Sequence, residues 1–126
     1  MKLERVVFGF FIVLALALNV VFVSGNIENP DHHSVWVLTI AIIVSLFATG
    51  LKLGDRTQVG SILLATSLVA DLLLITSRVV WIVLVDDTDV PGPNDMVAIV
   101  SWARGALVAN IISVIVLVSD ALMSRR

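Results

Sequence analysis

The side chains in this sequence best placed to do chemistry are two charges inside one apolar run. Val59 to Val85 reads VGSILLATSLVADLLLITSRVVWIVLV, 27 residues interrupted by Asp71 and Arg78. About 20 apolar residues cross a hydrocarbon core, so the run is long enough to span a bilayer. Asp71 and Arg78 are seven residues apart, two helical turns, and so share a face about 10 Å apart along the axis. A charge at mid-membrane costs about 2.5–3.5 kcal/mol on insertion scales, and such groups pair with neighbours or line a pathway. Asp71 therefore has two readings. In one it is a proton- or cation-binding carboxylate of a polar cleft. In the other it is structural, protonated or bonded to Ser67 one turn back, to Arg78 or to Asn110.

The remaining polar residues are weighed the same way. Arg78 and Arg104 sit at matching distances from the loop between them, which places them at a similar depth. Trp81 and Trp102 flank them, and Trp36 opens the second apolar run, an arrangement that suits snorkelling to a membrane interface. The alternative is an inward-facing ring or salt bridges to Asp71. Asn19 and Asn110 read as interhelical hydrogen-bond glue. His32 and His33 are adjacent in a loop and read as solvated, pH-sensitive groups rather than metal ligands. With no other histidine and no cysteine, no metal or cofactor site is implied. HExxH, phosphate-cradling glycine loops and Ser/His/Asp sets are absent, so the chain is not expected to be an enzyme. Its few basic residues do not suit nucleic acid.

The elements that must position these groups follow from composition. The 126 residues are 59% hydrophobic and 14% charged, with mean hydropathy +1.07; soluble domains are nearer half apolar and a quarter charged. Four apolar runs predict an all-α, polytopic membrane protein, a single domain over 1–126 with antiparallel helices at about 6–23, 35–53, 56–85 and 95–123. The basic start and Val23-Ser24-Gly25 resemble a secretory signal, but the first run is long enough to span and is read as a transmembrane helix. Asp31 or Ser34 is the expected cap of the second helix. In Lys52 to Gln58, Gly54 suits the left-handed position ending a helix, and Asp55 with Gln58 makes a capping-box-like start to the next. So short a link makes helices two and three antiparallel neighbours. Asn94 or Asp95 is the expected cap of the fourth. Small residues recur every four positions at Ala41, Ser45 and Thr49, and again at Ser101, Gly105, Ala109 and Ser113. Such stripes let helices approach closely where lipid supplies no hydrophobic drive between them.

Charge sets the orientation. Lys2, Arg5, Lys52, Arg56, Arg125 and Arg126 all fall on one side of a four-span chain, while the two opposite loops carry Glu28, Asp31, Asp86, Asp87, Asp89 and Asp95. The positive-inside rule then predicts cytoplasmic termini.

Two small four-helix families are excluded on their motifs. Small multidrug-resistance transporters carry an essential glutamate inside helix one, where this chain has only Asn19. Fluoride channels of the Fluc type have Asn- and Phe-marked pore helices and dual insertion, and neither is found here. The block LKLGDRTQVGSILLATSLVADLLL (Leu51 to Leu74), with Gly9–Phe11 and NPDHH at Asn29–His33, instead resembles a prokaryotic family of uncharacterised four-span proteins. The resemblance implies the fold and topology and no activity. The function expected is an oligomeric ion channel or ion-transport component, with the polar face on helix three. The alternative is an accessory subunit packed against a larger transporter, with no transport of its own. Partners are then the lipid bilayer, further copies of the chain or a larger membrane protein.

Overall fold

The computed structural model describes residues 3–25, 35–54, 57–84 and 93–123. They form four helices: α1 (Leu3–Val23), α2 (Val35–Lys52), α3 (Gln58–Leu84) and α4 (Pro93–Met123). Each is long and apolar enough to cross a membrane. Each packs against its neighbours in the chain, and α1 also meets α4, so the helices close into a ring. Among the described residues there is no strand.

Local chemistry explains the helix ends. Gly25 and Gly54 have φ of 90° and 85°, the left-handed conformation that a β-carbon penalises, and each follows a helix end. Gly54 was expected to end α2. The cap of α3 differs from expectation: Thr57 Oγ1 accepts from the Gly60 N–H at 2.9 Å, so Thr57 occupies the cap and Gln58 is the first helical residue. Asp55 lies outside the described residues, as do Asp31, Ser34, His32 and His33. At α4 the helix already includes Pro93, so Asn94 and Asp95 belong to its first turn. Proline fits a first helical position because it has no N–H to leave unpaired.

Packing follows the small side chains. Ala41, Ser45, Ala48 and Thr49 are buried along α2. On α4 the buried face runs through Ile99, Ala103, Ala106, Ala109, Asn110 and Ser113. Gly105 approaches α3 so closely that a β-carbon there would lie 3.2 Å from Leu73 Cδ1. The expected α4 stripe is therefore rotated: Ala109 and Ser113 are buried and Gly105 half-buried, while Ser101 is exposed. Its hydroxyl bonds back to Val97 O at 2.6 Å.

Two apolar clusters fill the bundle. Phe22, Leu38, Leu74, Met96, Ile99 and Val100 belong to one, and Phe8, Ile12, Ala48 and Leu63 form the other. Phe11 stacks on Phe47 with ring centroids 5.8 Å apart, and Lys52 Nζ lies 4.4 Å above the Phe8 ring. Outside, the bundle exposes Phe10, Phe47, Leu72, Ile82, Val108 and Ile115 on all four helices. Soluble monomers rarely expose apolar patches of that extent, whereas hydrocarbon solvates them.

Candidate functional site

Polar side chains are buried among and between these clusters. Asn19 of α1, Ser45 and Thr49 of α2, Ser67, Asp71 and Ser77 of α3, and Asn110 and Ser113 of α4 are all buried. Every helix contributes at least one.

Asp71 is 5% exposed and turns towards α2. Ser45 Oγ donates to its Oδ1 at 2.5 Å, and Thr49 Oγ1 donates to its Oδ2 at 2.5 Å. Thr49 Oγ1 also lies 3.0 Å from the Ser45 carbonyl oxygen, a second acceptor. A hydroxyl has one hydrogen, so Thr49 cannot serve both acceptors fully at once. The cluster accordingly has two complete hydrogen-bond patterns. With a carboxylate, Ser45 and Thr49 both donate to Asp71. With a proton on Oδ2, the acid donates to Thr49 Oγ1, whose own hydrogen turns to the Ser45 carbonyl. The change requires one hydroxyl rotation and no movement of heavy atoms.

None of the three partners considered from sequence holds the carboxylate. Its ligands come from Ser45 and Thr49, part of the stripe expected only to pack helices. The i, i+4 repeat of small residues was visible, but that two of them carry hydroxyls aimed at an acid on α3 required the α2–α3 register. Arg78 is half-buried and Arg104 exposed. The α3–α4 register is fixed by three contacts: Ser77 Oγ donates to Ile99 O at 2.7 Å, Thr66 pairs with Ser113, and Leu73 faces Gly105. It sets Arg104 opposite Leu74, so the arginine positions are offset by about one turn, ~5 Å, rather than level. Trp36, Trp81 and Trp102 lie towards that same end of the bundle, and Trp36 and Trp102 are exposed.

Asn19 and Asn110 join α1 to α4. With its amide oriented by its surroundings, Asn19 donates to Ala103 O at 3.1 Å and accepts from Leu107 N at 3.0 Å and Asn110 Nδ2 at 3.2 Å. Two buried polar atoms have no protein partner, Ser67 Oγ and Asn110 Oδ1. Among the described residues no three His, Cys, Asp or Glu side chains cluster as metal ligands would. An apolar groove of about 400 Å³, lined by Phe11, Ile43, Leu46, Phe47, Gly50 and Leu51, lies apart from these polar groups.

Four apolar helices around buried polar side chains define a small polytopic membrane protein. Residues 32–121 match a family of unknown function, DUF6394. The chain belongs to that family, in keeping with the four-span resemblance read from its sequence. No curated protein and no solved structure matches it.

Proposed function

We infer that this protein is an ion-transport component of a prokaryotic cytoplasmic membrane, with both termini inside, and that Asp71 is its proton-binding group. The observation that carries the reading is the Asp71–Ser45–Thr49 cluster, a carboxyl group 5% exposed within a span. A purely structural acid needs one hydrogen-bond pattern. This cluster offers one pattern for each protonation state, with a hydroxyl that turns between them. A site of that kind takes up and gives back a proton without repacking the helices around it. Four helices leave little room for a hydrated pore within one chain, so conduction is assigned to an assembly of several copies.

The test is ion flux in proteoliposomes containing the purified protein alone, with Asp71→Asn as the paired control. Proton or cation flux that falls at least tenfold in the mutant supports the reading. Equal flux in both, or no flux of any common ion, removes it.

One observation favours a second reading, an accessory subunit packed against a larger transporter. Phe22, Leu38, Leu74, Met96, Ile99 and Val100 close one part of the bundle interior with fully buried apolar side chains. In that case the protein copurifies with a partner, and Asp71→Asn leaves the association intact.

A further inference from the structure

Ser67 and Asn110 are each 0% exposed, yet Ser67 Oγ and Asn110 Oδ1 have no partner in the protein. An unpaired buried polar group costs about 1–3 kcal/mol, so two of them in one small bundle require an account. The usual helical outlet for a serine or threonine hydroxyl is the carbonyl four residues back. Thr39, Ser61, Thr66, Thr76 and Ser101 all use it. Ser67 does not, although it lies in the middle of α3.

The α3–α4 register brings the two residues to the same level of the bundle. The contacts Thr66–Ser113 and Leu73–Gly105 set Ser67 opposite the turn of α4 that holds Asn110. Both residues lie on the buried faces of their helices, Ser67 among Leu63, Ala70 and Leu74 and Asn110 among Ala106, Ala109 and Ser113. One atom is a hydroxyl with a hydrogen to give, the other a carbonyl oxygen that only accepts. The complementary molecule accepts once and donates once, which is water. An alkali cation suits the pair less well. It would need several more oxygens, and both carboxylate oxygens of Asp71 already face hydroxyl donors on α2.

We propose that Ser67 and Asn110 bind an internal water molecule in the bundle interior, one helical turn along α3 from Asp71. Buried waters hold two to four hydrogen bonds. This one has two, from Ser67 and Asn110. It thereby ties α3 to α4 and, through the hydrogen bond between Asn110 and Asn19, to α1. The site stands on the two orphaned atoms alone.

The experiment compares the wild type with Ser67→Ala by melting in detergent and by infrared spectroscopy in H2O and in ¹⁸O-labelled water. Exposed Ser101→Ala supplies the baseline for replacing a helical serine. A bound water loses a partner in Ser67→Ala, so Tm falls relative to that baseline. An O–H stretching band that shifts with ¹⁸O is present in the wild type and lost in the mutant. A Tm at or above the baseline, or no isotope-sensitive band in the wild type, overturns the site. A wild-type Tm that rises in sodium or potassium over choline, and no longer does so in Ser67→Ala, overturns water in favour of a cation. Absence of proton flux with the band retained overturns the role of Asp71 and leaves the site standing.

Discussion

At the scale of single residues, the feature that distinguishes this bundle is that its buried acid is held by hydroxyls from the neighbouring helix. Neither Ser45 nor Thr49 carries charge, so the cluster keeps one titratable group and two dipoles that follow it. That makes each hydroxyl's contribution measurable. Thr49→Val keeps the shape of the side chain and removes the donor, leaving Asp71 Oδ2 without Thr49. Interhelical hydrogen bonds in membranes average about 0.6 kcal/mol and reach about 1.7 kcal/mol. The coupling between Thr49→Val and Asp71→Asn, measured by reversible unfolding in mixed micelles, should fall in that range. Additive single mutants would mean that the contact contributes nothing to stability. Asp71 itself was legible in the sequence, because a charge inside a long apolar run is conspicuous. Its partners were not, because a serine and a threonine four residues apart read equally well as a packing stripe. Only the register of α2 against α3 separates the two.

At the scale of elements, the ends of α2 and α3 show how few residues decide where a membrane helix stops. Gly50 and Gly54 have opposite requirements despite lying one turn apart. Gly50 is helical, and a β-carbon built on it meets nothing within 4 Å; Gly54 has φ 85°. Gly50→Ala should therefore stabilise α2 by up to about 1 kcal/mol through helix propensity. Gly54→Ala should destabilise the protein by about 1–2 kcal/mol, the cost of a β-carbon in the left-handed region. Unfolding of the two variants side by side checks the signs, and equal signs would contradict this account of the turn. Gly54 as a helix stop was readable because glycine between an apolar run and polar residues has one common use. The start of α3 was not, because Asp55 and Thr57 are both credible capping residues, and the N–H of Gly60 finds Thr57. The α4 stripe packs inward at Gly105, Ala109 and Ser113 but not at Ser101, for a different reason. Small residues recur on more than one face of that helix, and periodicity cannot say which face α1 and α3 cover. Burial of Ile99, Ala103, Ala106 and Asn110 answers that.

At the scale of the whole molecule, the ring of helices places the α2–α3 turn at one end of the bundle and the end of α1 at the other. Lys52 closes α2 at the first of these ends, and Trp36, Trp81 and Trp102 lie towards the second. If the positive-inside rule governs the chain, the end with Lys52 faces the cytoplasm. The protein has no cysteine, so single cysteines report orientation without background. Leu53 lies in the α2–α3 turn and Ser24 just beyond α1, and both are exposed. In intact spheroplasts, a membrane-impermeant maleimide should label Ser24→Cys and spare Leu53→Cys, and both should react once the membrane is permeabilised. The reverse pattern would invert the topology. Labelling of both in intact cells would mean dual insertion, which the one-sided charge argues against. On the proposed reading, orientation also decides which compartment Asp71 exchanges with. Ser67, Thr66 and Ser113 lie on the Lys52 side of the acid along the bundle, whereas Phe22, Leu38, Met96 and Val100 belong to the cluster at the tryptophan end. Phe8, Ile12, Ala48 and Leu63 close the Lys52 end in the same way, so the polar groups around Asp71 are covered by apolar side chains towards both faces.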